Sequence, residues 1–275
     1  MQKKILFKVE RERVLVPVGA PCPFGCRYCY TRGSDVGSAR VDADEILSRF
    51  REFLATSDTP FKTIQFGYDG DPFAQPERGI AMLRQLVTTG KHVNFSTKAL
   101  LTDTTLNALS NIQKQMKAID TTLSALVSLS CWNSAHLVEP HTPSPSERMQ
   151  TVARLRDLDI PVFIAVRPVM PHIADEEYER IASAGVGASC NGFVLGPLYA
   201  DDRGQFVRGI PPELLAATPH RRCTVSWSAH RPVWTRYEEE TRLQHLMAMI
   251  RNRGGRVFLS SADAMVWISR ERIAI

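Results

Sequence analysis

Six short apolar runs, each rich in β-branched and aromatic residues, punctuate the first two hundred positions of this chain. They fall at 14–19 (VLVPVG), 61–67 (FKTIQFG), 92–98 (HVNFSTK), 125–130 (ALVSLS), 161–169 (PVFIAVRPV) and 192–199 (GFVLGPLY). Near-continuous apolar character over so few residues reads as strands buried on both faces. Between them the apolar spacing becomes helical, at 43–57, 77–90, 102–116, 144–159 and 175–185. Ile46, Leu47, Phe50 and Leu54 fall on one stripe of the first segment, Gly90 closes the second, and Ser144 with Glu147 forms a capping-box signal. The alternation predicts an α/β fold with a parallel sheet, best matched by a complete or partial (β/α) barrel of the TIM type. An open doubly wound sheet is the alternative. A further helix at 236–255 and a strand at 256–261 divide the chain into a barrel core over 1–200 and an extension over 201–275 that completes or caps it. Residues 200–235 read as a long, Pro-rich irregular excursion. In either architecture ligands gather at the carboxyl ends of the strands.

The first strand runs into PCPFGCRYCYTRG, residues 21–33, which holds three of the six cysteines: Cys22, Cys26 and Cys29. A disulfide would leave one thiol over. The N-terminus also lacks a signal-peptide pattern, so a reducing, cytoplasmic setting is expected. A structural zinc ion wants four protein ligands, and a fourth would have to come from a distant residue such as Cys131. An iron–sulfur cube held by three thiolates instead keeps one iron open to a non-protein ligand.

The run Cys22-Pro23-Phe24-Gly25-Cys26-Arg27-Tyr28-Cys29, with an aromatic residue before its last cysteine, resembles the signature of the radical S-adenosylmethionine enzymes. The resemblance implies a partial (β/α)6 barrel and a [4Fe–4S] cluster on Cys22, Cys26 and Cys29. It also implies S-adenosylmethionine at the open iron, cleavage to a 5′-deoxyadenosyl radical, and a flavodoxin or ferredoxin as electron donor. Further elements are similar to the branch that contains spore photoproduct lyase: Gly67, Asp71-Pro72-Phe73, Thr97-Lys98, and Glu139-Pro140 followed by Thr142 and Arg148. Tyr28 and Tyr30 match that branch's tyrosine pair beside the cluster. Its hydrogen-donor cysteine has no counterpart between Phe66 and Ala74, which leaves Cys131 and Tyr30 as candidate catalytic residues.

The polar ends of the later strands supply candidate cofactor contacts. Asp69 and Asp71 offer acceptors for the ammonium, and Gly67 and Gly70 allow close backbone approach. Ser96 and Lys98 are placed for the carboxylate or ribose, and Ser128 and Ser130 for the ribose. Arg167 interrupts an apolar strand and needs an anionic partner: substrate, cofactor carboxylate or Glu139. His141 and His172 are candidate proton shuttles, and Trp132 and Trp227 candidate stacking surfaces.

Residues 203–256 contain ten arginines against four acids, so an anionic partner is expected. Three readings follow: radical chemistry on an anionic small molecule, peptide or natural product; the same chemistry on DNA, RNA or a nucleotide; or a non-catalytic cysteine–metal module. No apolar run is long enough for a membrane span.

Overall fold

In the computed structural model, which describes residues 7, 9–10, 12–29, 31, 41–201, 207, 210–225, 232–237 and 240–271, the apolar runs pair in chain order. A two-residue strand β1 (Val9–Glu10) lies antiparallel to β2 (Arg13–Val16). From β2 the pairing is parallel through β3 (Thr63–Phe66), β4 (His92–Thr97), β5 (Leu123–Ser128), β6 (Val162–Val169) and β7 (Gly192–Ala200). The connections carry α1 (Ala43–Thr56), α2 (Pro76–Val87), α3 (Asp103–Lys117), the one-turn α4 (Ala135–Val138), α5 (Pro145–Asp157) and α6 (Asp175–Gly187). This is the partial (β/α)6 barrel that the resemblance implies, within the α/β class that the alternation predicts. Among the described residues nothing pairs β2 with the far edge, so the sheet stays open.

Helix starts follow the local chemistry. The Asp42 carboxylate accepts from the Asp44 amide at 2.8 Å, and Ser144 and Glu147 form the reciprocal capping box. The α-helices cover the outer face of the sheet, where residues such as Val14, Ile64, Phe95, Val127 and Ile164 build the main core.

The region after β7 departs from expectation. Residues 200–235 contain α7 (Pro212–Ala217) and a hairpin of β8 (His220–Thr224) and β9 (Val233–Tyr237). Strand β9 pairs antiparallel with the last residues of β7, so the hairpin extends the sheet beyond the carboxyl end of the barrel. Arg236 and Tyr237 therefore belong to a strand, and helix α8 (Glu240–Asn252) begins later than its apolar pattern suggests. Strand β10 (Val257–Phe258) is short and parallel to β7.

A last helix, α9 (Ser261–Glu271), occupies the concave face. Its Ala264, Met265 and Ile268 pack on Leu126, Phe163 and Val194. Polar contacts add to the seal: Arg13 bonds Gln65 and Ser261, Asn94 donates to Ser124 at 3.0 Å, and Ser124 bonds the Met265 sulfur at 3.4 Å. These contacts fill the amino-terminal half of the barrel. Side chains alternate along a strand, so Ser96, Lys98, Ser128, Ala165 and Arg167 continue the same concave rows toward the carboxyl end. All five are half-buried, whereas the intervening Thr97, Val127 and Val166 are buried. The carboxyl half of the concave face is thus the open half. No helix among the described residues is long and apolar enough to cross a membrane.

Candidate active site at the carboxyl ends of the strands

The cysteine loop leaves β2 at this open end and is pinned from three sides. Arg27 donates its amide to the Val138 carbonyl at 2.8 Å, and His141 donates to the Phe24 carbonyl at 3.3 Å, so α4 and its exit brace the loop. Asp69 accepts from the amides of Val18 and Gly19 at 2.7 and 3.4 Å. Arg78 donates to the carbonyls of Val18 and Val41 at 2.9 and 2.8 Å. All six cysteines are free thiols; Cys26 is buried, and Cys22 and Cys29 are half-buried. Burial pushes the Cys22 thiol up and carries Cys26 up to about 12, while the nearby Lys98 charge opposes both shifts. Thiolates here need a cation to neutralise them.

Among the described residues no group of three His, Cys, Asp or Glu side chains converges at the distances of one metal ion. Three thiols on one loop are the soft donor set of an iron–sulfur cube that keeps one iron without a protein ligand. Cys131 does not join the loop. It points to the outer layer, is 0 % exposed and lies in the main core. Its charged neighbours are Glu139, Arg148, Glu177 and Lys98. That placement fits a small buried apolar residue. Tyr30 and Trp227 lie outside the described residues.

Glu139 is the hub that residue-type reasoning missed. Its side chain is buried, at 1 % exposure, and accepts from the Tyr28 hydroxyl. Arg148 Nη1 lies 2.6 Å from its Oε2 and Lys98 Nζ 3.7 Å from its Oε1. Lys98 also donates to Ser128 Oγ at 2.5 Å and sits 5.7 Å from the Tyr28 ring centroid. Burial works against the Lys98 charge, but Cys26, Glu139 and Asp71 outweigh it and raise the pKa. Tyr28 is pushed far up by burial and by Glu139, so it is a neutral donor. It also bonds Ser130 at 2.9 Å, and Ser130 donates to the Arg167 carbonyl at 2.7 Å. One network therefore joins the cysteine loop to β4, β5 and β6.

The two aspartates are engaged internally. Besides Asp69, Asp71 accepts from the amides of Phe73 and Lys98 at 2.9 and 2.5 Å and from the Thr97 hydroxyl at 2.9 Å. It caps the 3-10 turn Pro72–Ala74 and ties it to the end of β4. Both carboxylates are buried, at 4 and 8 % exposure, and position the loops. Gly67 turns the chain at φ +87°, and a Cβ there would lie 2.8 Å from Pro72 Cδ. Ser96 lies on the half-buried concave row. His141 is exposed; His172 is half-buried, and burial lowers its pKa. Trp132 stacks under Arg180 at 4.7 Å, outside the polar network.

The sequence model of the Radical SAM superfamily matches residues 16–184. The chain belongs to that superfamily. Membership implies a [4Fe–4S] cluster and S-adenosylmethionine. Two uncharacterized mycobacterial proteins, Rv2578c of Mycobacterium tuberculosis and Mb2609c of Mycobacterium bovis, are each 23% identical over 206 residues. The match takes in 68% of this radical SAM chain and 59% of each relative, so the chain spans well under two thirds of their length. Among solved structures, a spore photoproduct lyase mutant superposes with TM-score 0.65 at 14% identity, covering 91% of this chain and 76% of that one. A spore photoproduct lyase complexed with dinucleoside spore photoproduct gives 0.63 at 14% identity, over 89% and 75%. Streptococcus suis SuiB bound to precursor peptide SuiA gives 0.52 at 12% identity, over 67% and 39%. At these identities the likeness is one of fold.

Proposed function

We propose that this chain is a radical S-adenosylmethionine enzyme acting on an anionic small molecule, peptide or natural-product intermediate. The observation that carries the reading is the meeting of three free thiols with a half-buried cation, Lys98, at the open end of the concave face. When bound, the cluster and S-adenosylmethionine supply an electron and a hydrogen-abstracting radical. Cys22, Cys26 and Cys29 would hold the cluster, and their donor type and loop fit it. Lys98, held cationic beside them, offsets the negative charge of the thiolates and is suited to a carboxylate. Ser128 and Ser96 line the wall beside it, suited to a ribose, and Gly67 lets the backbone of the turn come close. Tyr28, as a neutral donor, keeps the loop in register with Glu139 and Ser130. Asp69 and Asp71 hold the strand ends on which those groups stand. A flavodoxin- or ferredoxin-type protein is the proposed electron donor.

Anaerobic reconstitution tests the reading. The wild-type chain with dithionite should release 5′-deoxyadenosine from S-adenosylmethionine, and Cys26→Ala should release none. A colourless, zinc-loaded protein would refute it and leave a non-catalytic cysteine–metal module.

The hairpin supports a second reading, in which the substrate is DNA, RNA or a nucleotide. Strand β8 carries exposed His220, Arg221 and Arg222 level with Leu198–Ala200, the last residues of β7. Retention on DNA or tRNA that weakens with rising salt supports it. Indifference to both polymers at low salt counts against it.

A further inference from the structure

Arg167 sits on the concave row of β6, half-buried, where its neighbours Phe163 and Ala165 are apolar. The strand across from it, β7, carries Gly196 at the point where the β6–β7 register becomes irregular, between Val166 and Val169. A Cβ built on Gly196 would lie 2.4 Å from Arg167 Nε, 3.0 Å from Cζ and 3.1 Å from Cδ. The Arg167 side chain therefore packs against Gly196, in space that a Cβ would fill. Its backbone is held as well, because Ser130 donates to the Arg167 carbonyl at 2.7 Å. The described concave rows of β4 to β6 carry two cations at this end, Lys98 and Arg167.

The two cations stand apart. Lys98 stands at the end of β4, beside the cysteine loop, and Arg167 lies two strands on, past β5 on β6. An anion gripped by Arg167 sits on the β6–β7 side of the face, two strands from Lys98. A planar guanidinium has five N–H donors in a fork that fits a carboxylate or phosphate, so an internal partner does not exhaust it.

We infer that Arg167, seated against Gly196, anchors a carboxylate or phosphate group of the substrate. This rests on the radical S-adenosylmethionine reading and adds to it. The substrate carries its anion on the β6–β7 side of the face, and Gly196 is a specificity residue because it makes room for the anchor. Carboxylate and phosphate share this chemistry, and the test separates them.

The experiment uses the full, anaerobically reconstituted chain with acetate and inorganic phosphate as probes, and measures S-adenosylmethionine affinity in parallel. Wild type should bind at least one probe, and the stronger of the two names the anion. Arg167→Gln should weaken it at least about tenfold, equivalent to ~1.4 kcal/mol. Gly196→Ala should do the same by displacing the fork without removing the charge, and Arg167→Lys should fall between. Iron content and S-adenosylmethionine affinity should not change. Absence of probe binding in wild type, or equal binding in Arg167→Gln, overturns the inference. So does a loss of S-adenosylmethionine affinity in Arg167→Gln with probe binding intact. A wild-type chain that takes up no iron fails the underlying reading instead, and probe binding can still be scored on it.

Discussion

Arg148 and Glu139 form an ion pair of 2.6 Å, with both side chains at 0 % exposure. The sequence between them explains how they meet. The Thr142 hydroxyl bonds the Glu139 carbonyl at 2.9 Å and closes a turn. Ser144 then caps α5, which sets Arg148 in the first turns of that helix, facing back toward Glu139. Arg148 also donates to the Ser128 carbonyl at 2.9 Å, so the pair ties α5 to the end of β5.

Removing one partner strands the other charge in the interior. Glu139→Ala should cost about 3–5 kcal/mol in denaturant unfolding. Arg148 Nε and Nη2 are buried without a hydrogen-bond partner, so the pair itself is imperfectly satisfied. The double variant Glu139→Leu/Arg148→Met should therefore be more stable than Glu139→Ala. A double variant that is less stable than the single one contradicts this account of the pair.

Cys131 packs in the outer core and contributes volume rather than a ligand. Cys131→Ala should keep the iron content of wild type and lose about 1 kcal/mol of stability. Loss of iron, measured colorimetrically beside Cys26→Ala, would make it a ligand after all.

Gly67→Ala forces a side chain into left-handed backbone and against Pro72 Cδ, 2.8 Å away. The backbone alone should cost about 1–2 kcal/mol. The turn it displaces joins β3 to the Asp71 cap, so S-adenosylmethionine affinity should drop as well. Calorimetry reads both effects; a variant with unchanged melting and unchanged affinity argues against the turn's role.

Glu177 gives the fold an acid-sensitive joint. Burial tends to raise its pKa, but the Ser134 hydroxyl at 2.6 Å and the amides of Ser134, Trp132 and Asn133 outweigh burial and lower it. A carboxylate with a depressed folded pKa stabilises above its unfolded value, about 4.3, and that contribution fades as pH falls through the lower folded value. The melting-temperature gap between wild type and Glu177→Gln should be full at neutral pH and shrink below about pH 4. A gap that does not change with pH would mean that ionised Glu177 does not brace this loop.

Much of the barrel was readable because buried parallel strands write themselves as apolar runs, and β3 to β7 follow those runs closely. The hairpin was not readable. His220, Arg221 and Arg222 read as loop, and their strand exists because β9 pairs with the end of β7, a tertiary event. Helix α9 has no local signal that it enters the barrel; its place comes from Leu126, Phe163 and Val194. At the site, the cysteine spacing was legible because it is local chemistry. The scaffold contacts of Asp69 and Asp71 were not legible, because backbone amides leave no trace in residue types. Glu139 was not legible as a hub because Tyr28, on the cysteine loop, and Lys98, at the end of β4, lie far away in the chain.

Mössbauer spectroscopy of iron-labelled, anaerobically reconstituted protein, with and without S-adenosylmethionine, tests the three-cysteine centre most directly. The account predicts about four irons per chain, one of which changes its signature when S-adenosylmethionine is added. A centre whose irons all stay equivalent on that addition, or a chain that takes up one zinc ion in place of iron, would contradict it.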